Sequence, residues 1–234
     1  MLIKGLYRLS LIDFPNKIAC ILFLSGCNFR CPYCYNKALV LNEDIKGYSQ
    51  EEIFDFLKSR IGLLDGVVIS GGEPTLNREL PEFISRIKDL GFLVKLDTNG
   101  SNPEMLKQLT EKKLVNYIAM DLKAPLENYQ SVCKTNIDIA KIKESLKIIA
   151  DSGIEHELRA TVLPALHTTE DIIEMAKTAC SFGIKKFYLQ QFSPKKSLLD
   201  ADFEDAKPFS QQELEGIRTE CLRYVDTEIR GKEK

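Results

Sequence analysis

Apolar and polar positions alternate in blocks along this chain, and the blocks predict strands and helices in turn. Residues 17–24 form a nearly continuous apolar run, as expected for a strand buried on both faces of a parallel sheet. Similar runs predict five further strands, at 67–70, 93–96, 117–120, 156–162 and 186–190. The intervening segments are amphipathic and predict helices over 51–60, 78–90, 103–112, 139–151, 170–182 and 210–225.

Six strands that alternate with helices predict an α/β fold with a parallel sheet and right-handed crossovers. A closed (β/α)8 barrel typically takes about 250 residues and eight units, whereas this chain has 234 residues and six predicted units. We therefore predict a partial (β/α)6 barrel, laterally open, in a single domain over 1–234. The barrel core is expected over about 17–193 and a C-terminal helix over about 210–225, with a charged tail from Arg230 onward.

The composition is that of an ordinary globular protein, with 44% hydrophobic and 28% charged residues. A formal net charge of -2 gives no electrostatic reason to expect nucleic-acid binding. No apolar run is long enough to span a bilayer, and the first residues lack the features of a signal peptide. Seven cysteines, three of them in one short loop, do not resemble a disulfide framework. We therefore expect a cytoplasmic protein without membrane or nucleic-acid partners.

Three cysteines come directly after the first predicted strand. Cys27, Cys31 and Cys34 have the spacing C-x3-C-x2-C on one short loop, so their thiolates can converge on one metal centre. Structural zinc sites and most iron–sulfur clusters use four protein ligands, and no fourth cysteine or histidine lies nearby in the sequence. One metal position would therefore stay open for another ligand. Two alternatives remain: buried thiols without a metal, and zinc completed by a distant histidine. Cys20 is predicted to be a core residue.

Polar clusters follow the next three predicted strands, where parallel α/β folds gather their functional groups. The clusters are Gly71-Gly72-Glu73, Asp97-Thr98-Asn99, and Asp121 with Lys123. Each cluster has a simpler explanation by itself, because Gly-Gly and Asn-Gly are common in turns and a surface Asp-Lys pair contributes little stability. Their repetition after successive strands, downstream of the cysteine loop, indicates a shared pocket.

With these motifs in place, the chain resembles the glycyl-radical-enzyme activating proteins of the radical SAM (S-adenosylmethionine) superfamily, over about residues 5–191. The resemblance rests on the cysteine loop with Tyr33, Gly71-Gly72-Glu73, Asp97-Thr98-Asn99-Gly100, Asp121-Leu122-Lys123 and Arg159. The segment from Ser10 to Pro15 is more similar to the activators of anaerobic ribonucleoside-triphosphate reductase than to those of pyruvate formate-lyase.

The resemblance implies a radical SAM oxidoreductase with a [4Fe–4S] cluster on the three loop cysteines and SAM at the open iron. It further implies reductive cleavage of SAM to a 5′-deoxyadenosyl radical, which abstracts hydrogen from a glycine of a partner glycyl radical enzyme. The implied partner is anaerobic ribonucleoside-triphosphate reductase, and a flavodoxin- or ferredoxin-type protein would donate the electron. The implied SAM-binding residues are Tyr33, Tyr35, Asn36, Gly71, Gly72, Glu73, Asp97, Thr98, Asn99, Asp121, Lys123 and Arg159.

The chain departs from the formate-lyase activators at two positions. Tyr35 follows the last cysteine where those proteins carry histidine, and Ser193 lies where they carry a histidine near SAM. Both differences favour a partner other than formate-lyase. Two other functions remain open: a radical SAM enzyme that acts on a small molecule or peptide, similar to deazapurine synthases, and a metal-binding or electron-transfer module without catalysis. Cys133, Cys180 and Cys221 receive no role.

Overall fold

The computed structural model describes residues 1–43, 46–194 and 197–231. Within these residues eight strands form one sheet in chain order. The strands are β1 (Ile3–Ser10), β2 (Ala19–Leu24), β3 (Gly66–Gly71), β4 (Leu93–Thr98), β5 (Tyr117–Asp121), β6 (Glu155–Val162), β7 (Lys186–Gln191) and β8 (Asp226–Arg230). β1 pairs with β2 in the antiparallel direction, and every later pair is parallel. Because β1 and β8 are the two edges of the described sheet, the barrel is open on one side.

Helices connect the parallel strands. They are α1 (Lys37–Val40), α2 (Gln50–Lys58), α3 (Leu80–Asp89), α4 (Pro103–Glu111), α5 (Tyr129–Cys133), α6 (Ile139–Asp151), α7 (Thr169–Ser181) and α8 (Gln211–Cys221). Ser49, Thr168 and Ser210 each begin a helix with a reciprocal capping box, which satisfies two backbone amides that the first turn leaves unpaired. Among the described helices, none combines the length and apolar character that crossing a membrane requires.

Two apolar clusters lie on opposite faces of the sheet. The larger cluster joins one face to the helices and includes Leu22, Ile69 and Phe83. The smaller one contains only residues from the strands and from the turn before β2, so it lies on the concave face; its buried members are Phe14, Ala19, Ile21, Val68, Tyr117 and Ala119. This small cluster fills the N-terminal end of the partial barrel, and the polar residues occupy the other end.

All six predicted strands are present, as β2 to β7, and the prediction of a laterally open α/β barrel is confirmed. Two edge strands were missed, because an edge strand can be half-exposed and needs no continuous apolar run. β8 is such a case, since only Thr227 on it is fully buried. The predicted C-terminal helix ends earlier, at Cys221, and Arg230 lies in β8 rather than in a charged tail. Residues 232–234 of that predicted tail lie outside the described residues.

Candidate cluster and cofactor site

A cavity of about 370 Å³ opens at the C-terminal ends of the strands. Its walls include all the residues predicted for the cluster and for SAM, with the exception of Glu73. The predicted residues that line it are Cys27, Cys31, Tyr33, Cys34, Tyr35, Asn36, Gly71, Gly72, Asp97, Thr98, Asn99, Asp121, Lys123 and Arg159. The fold therefore brings the separate strand-end motifs together around one space.

Backbone hydrogen bonds hold the cysteine loop from several directions. The Arg30 amide donates to the carbonyl oxygen of Cys133 at 2.9 Å, and the Gly26 amide donates to that of Leu39 at 2.8 Å. The Arg30 guanidinium also donates to the carbonyl oxygens of Cys27, at 2.7 Å, and Phe29, at 2.9 Å. These bonds fix the backbone of the loop, and the backbone in turn fixes the Cα positions of the three cysteines.

The thiols of the loop have different environments. Burial raises the pKa of Cys27 to about 12 and also raises the pKa of Cys34. A hydrogen bond with the buried thiol of Cys133 lowers the pKa of Cys31 to about 7. A bound metal would reverse the effect of burial, because a coordinated thiol is deprotonated. Cys133 was missed as a neighbour of the site because α5, which carries it, is far away in the sequence.

The three loop thiols form the donor set that this site offers to a metal centre. All seven cysteines are free thiols. Among the described residues, no group of three cysteine, histidine or carboxylate side chains can hold one metal ion. Cys27, Cys31 and Cys34 line the cavity together, so three thiolates are available to a [4Fe–4S] cluster that keeps one iron open for another ligand.

Two glycines at the C-terminal end of β3 let the backbone pack against the base of the cysteine loop. The Gly72 amide donates to the carbonyl oxygen of Leu24, and the Glu73 amide donates to that of Gly26, both at 2.8 Å. A Cβ on Gly72 would lie 2.0 Å from the Gly26 oxygen, and Gly71 has a φ of +117°. Glycine is therefore required at both positions by close contact and backbone conformation.

Glu73 was predicted to contact SAM, but the structure places it behind the cavity wall. Its side chain is fully buried and accepts hydrogen bonds from the Thr98 hydroxyl at 2.7 Å and from the Asn99 amide at 2.6 Å. Burial raises the pKa of this carboxyl more than the hydrogen bonds lower it. Since Thr75 also donates to it, both carboxyl oxygens are engaged. Glu73 therefore links the β3 and β4 loops instead of facing the cavity.

A row of alternating charges crosses the floor of the cavity. Arg159 donates to Asp121 at 2.9 Å and lies 3.3 Å from Asp97, while Lys123 lies 3.0 Å from the other Asp121 oxygen. Lys95, which is buried, pairs with Asp97. Burial alone would raise the pKa of both carboxyls, but the cations outweigh it and lower the pKa of Asp121 to about 2. Both carboxylates are therefore ionised at neutral pH.

Three further predicted residues flank the cysteine loop. The Asn36 side chain donates to the carbonyl oxygen of Gly71 at 3.3 Å. The Tyr35 ring stacks on Phe192 with 6.0 Å between ring centroids. The buried Tyr33 hydroxyl has no hydrogen-bond partner in the described part of the chain. Tyr35 thus connects the cysteine loop to the segment after β7. Tyr33 contributes a buried hydroxyl at the cavity that is free to bind a ligand.

Sequence reasoning missed several residues that line the cavity. Ser70 donates to Asp97 at 3.0 Å, and Thr161, Gln190, Gln191 and Arg230 also line the cavity. The threonine and the glutamines are polar residues at the ends of predicted strands, so a signal was available. Arg230 carried no such signal, because β8 itself was not predicted.

The sequence is similar to proteins of one known superfamily. The sequence profile of the radical SAM superfamily matches residues 21–179. A protein of Methanocaldococcus jannaschii that carries the name of a candidate glycyl-radical enzyme activating enzyme is 36% identical over 97% of this chain and 95% of its own length. A second protein of that organism with the same name is 32% identical over 74% of this chain and 66% of its own length.

Solved structures share the fold. SuiB of Streptococcus suis, bound to S-adenosylmethionine, has a TM-score of 0.70 at 16% identity, over 90% of this chain and 52% of SuiB. A domain of pyruvate-formate lyase-activating enzyme from Bacteroides vulgatus has a TM-score of 0.58 at 18% identity, over 71% of this chain and 99% of that domain. The profile match and the 36% identity show that the chain belongs to the radical SAM superfamily, whose enzymes use a [4Fe–4S] cluster and SAM.

Proposed function

We propose that this protein activates a glycyl radical enzyme. When bound, the cluster and SAM would supply, with one external electron, the radical chemistry that removes a hydrogen atom from the Cα of a partner glycine. The products would be methionine, 5′-deoxyadenosine and a glycyl radical on the partner. The carrying observation is that the cysteine loop and the charged row share one cavity in a barrel that is open on one side. An open side suits a protein substrate, and the names of the Methanocaldococcus jannaschii relatives support the same class.

The residues of the cavity divide into two proposed roles. Cys27, Cys31 and Cys34 would ligate the cluster, as three thiolates with an open fourth position do in this superfamily. Asp97 and Asp121, both ionised, are suited to the ammonium and ribose hydroxyls of SAM, and Lys123 and Arg159 to its carboxylate. The other proposed contacts are Tyr33, Tyr35, Asn36, Gly71, Gly72, Thr98 and Asn99. Glu73 would act by holding two of these residues.

The chain also shields the cysteine loop from outside. The Leu199 amide donates to the carbonyl oxygen of Cys34 at 3.1 Å, and the Asp200 amide donates to that of Pro32 at 3.0 Å. The segment after β7 therefore packs directly against the cysteine loop. Such packing would restrict water and oxygen near a reactive cluster.

The proposed partner is anaerobic ribonucleoside-triphosphate reductase, with electrons from a flavodoxin- or ferredoxin-type protein. The support for the reductase is the resemblance of the segment Ser10 to Pro15 to the activators of that enzyme. Within this segment Phe14 packs into the apolar cluster on the concave face. The electron donor remains a prediction from the resemblance.

The test uses the protein with its cluster reconstituted under anaerobic conditions. We expect SAM-dependent 5′-deoxyadenosine and, with the ribonucleotide reductase of the same genome, a glycyl radical signal in electron paramagnetic resonance. Formation of 5′-deoxyadenosine without a radical on any glycyl radical enzyme of that genome would favour the small-molecule alternative. Absence of SAM cleavage, with zinc bound stoichiometrically, would favour the non-catalytic one.

A further inference from the structure

A row of three polar residues forms the wall of the cavity farthest from the cysteine loop along the sheet. Thr161 of β6 lies opposite Gln190 of β7, which lies opposite Arg230 of β8. All three line the cavity, whereas the cysteines follow β2 near the other edge of the sheet. The Thr161 hydroxyl donates to Gln190 Oε1 at 3.4 Å. The row is thus a continuous polar strip across the last three strands.

Arg230 is held rigidly in this row. Its two Nη atoms donate to the two carboxylate oxygens of Glu157, at 2.6 and 2.9 Å. Glu157 is fully buried and also accepts from the Tyr117 hydroxyl at 2.6 Å. The guanidinium lies 3.4 Å above the centre of the Tyr188 ring, which fixes its plane. A carboxylate and an aromatic ring therefore orient one cationic group at the cavity.

The guanidinium retains capacity for a ligand. It carries five N–H donors, of which Glu157 takes two. The Arg230 side chain is 34% exposed and Arg230 lines the cavity, while Glu157 is 0% exposed, so the pair is buried at the carboxylate and accessible at the guanidinium. Gln190 Nε2 makes no hydrogen bond within residues 1–43, 46–194 and 197–231. Donors of two neighbouring strands are thus available in the same wall.

A glycine substrate explains this choice of groups. Glycine has no side chain, so an enzyme that selects one glycine must bind the carbonyl and amide groups of the surrounding backbone. The row offers a hydroxyl, an amide and a guanidinium, none of which exchanges a proton at neutral pH. Hydrogen-atom abstraction from Cα needs no acid or base at this wall. The charged row on β4 to β6 already accounts for the polar groups of SAM.

We propose that Arg230 and Gln190 bind backbone carbonyl groups of the glycine-bearing segment and position its Cα in the cavity, while Thr161 orients the Gln190 amide through its hydrogen bond to Oε1. This inference rests on the proposed function, because it names the part of the site that takes the protein substrate. It makes β8, which lies at the open edge of the barrel, the strand that selects the substrate.

The test compares Arg230→Gln, Arg230→Lys and Gln190→Ala with Arg223→Gln as a matched control. Arg223 pairs with Glu220 on the exposed surface. The probes are SAM, a synthetic peptide that spans the radical-bearing glycine of the reductase, and the intact reductase. Binding is measured by equilibrium dialysis for SAM and by fluorescence anisotropy for the peptide, and glycyl radical formation gives KM and kcat.

We expect Arg230→Gln to raise the peptide Kd and the KM for the reductase about ten-fold or more, the usual effect of losing a hydrogen bond to a charged group. Arg230→Lys should recover part of this loss, Gln190→Ala should raise KM by a smaller factor, and the Kd for SAM should change less than two-fold. Arg223→Gln should match the wild type.

Two results would overturn the inference while leaving the proposed function intact. If Arg230→Gln weakens SAM binding but leaves peptide binding unchanged, Arg230 belongs to the SAM subsite. If Arg230→Gln and Gln190→Ala, each tested as a single variant, both leave peptide binding unchanged, the row takes no part in substrate recognition. If Arg230→Gln fails to fold, Gln190→Ala decides, because it leaves the Glu157 pair in place. A wild-type protein that forms no glycyl radical would instead refute the proposed function, and this inference with it.

Discussion

The Tyr35 hydroxyl donates to the carbonyl oxygen of Ser193 and accepts from the Ser193 amide, with both distances at 2.9 Å. These residues occupy the two positions at which the sequence departs from the formate-lyase activators. Together they connect the cysteine loop to the segment after β7, beside the stacked ring of Phe192.

Replacing Tyr35 with phenylalanine removes both hydrogen bonds and keeps the ring stacking. We expect a loss of about 1–2 kcal/mol in the free energy of unfolding, because each such bond contributes about 1 kcal/mol. The reconstituted cluster should also lose its visible absorbance faster in air. Tyr224→Phe, which changes a partly exposed tyrosine on the protein surface, is the control. Equal stability and equal cluster lifetime in the two variants would contradict a connecting role for Tyr35.

Cys31→Ala should abolish cluster loading. A [4Fe–4S] cluster with one open iron is held by only three protein ligands, and this variant would leave two. Iron content after anaerobic reconstitution should fall close to zero, and SAM cleavage should disappear with it. Cys180→Ala, at an exposed cysteine outside the cavity, should load iron like the wild type. Full SAM cleavage by Cys31→Ala would remove the basis for the cluster assignment.

Gly72→Ala should damage the site without changing any of the three cysteines that are proposed to bind the cluster. The added Cβ would lie 2.0 Å from the Gly26 carbonyl oxygen, so the cysteine loop and β3 must separate. We expect a loss of about 1–3 kcal/mol in unfolding free energy, typical of overpacking, together with reduced iron loading. Gly216→Ala in α8 meets no atom within 4 Å and should be neutral or slightly stabilising. Normal iron loading by Gly72→Ala would show that the close contact is unimportant.

Asp121→Asn should weaken SAM binding and destabilise the fold. The change leaves Arg159 and Lys123 with one fewer carboxylate in a largely buried setting, and breaking such a pair typically costs about 3–5 kcal/mol. Urea unfolding and equilibrium dialysis with labelled SAM measure the two effects. Asp55→Asn, which alters an exposed pair with Lys58, should cost less than about 1 kcal/mol. A SAM affinity equal to that of the wild type would exclude Asp121 from the cofactor site.

His167 should make stability depend on pH. Its Nε2 donates to the Lys123 carbonyl oxygen at 2.8 Å and its Nδ1 accepts from the Leu163 amide at 3.3 Å, which is the neutral tautomer. Burial lowers its pKa below the ordinary value of 6.5. Below pH 6.5 the unfolded chain therefore binds more protons than the folded chain, and the free energy of unfolding falls as the pH is lowered.

The pH effect can be isolated by comparing urea unfolding at pH 7.5 and 5.5. The wild type should lose stability over this interval, by at most about 1.4 kcal/mol per pH unit for one group, and His167→Gln should lose less. Identical slopes in both proteins would mean that another group controls the pH dependence.

Much of the site could be predicted from sequence, because its signals are local. The spacing of Cys27, Cys31 and Cys34 is read within one loop, and the clusters at Asp97 and Asp121 follow apolar runs that mark parallel strands. In such a sheet the C-terminal ends of strands meet at one edge. Consecutive strands then place their following residues beside each other, and the cavity contains almost all of them.

The remaining features depend on contacts between distant segments, which no local pattern encodes. Motif spacing does not show which way a side chain turns, and the Glu73 side chain turns into the wall. Cys133 reaches Cys31 only through the packing of α5. Arg230 lines the cavity because β8 pairs with β7 at the edge of the sheet and because the buried Glu157 carboxylate accepts hydrogen bonds from its guanidinium. The sequence by itself determined the parallel sheet and the cysteine loop, since both follow from apolar periodicity and spacing. The tertiary structure alone decided the far wall, since its edge strand has too few buried positions to leave a pattern.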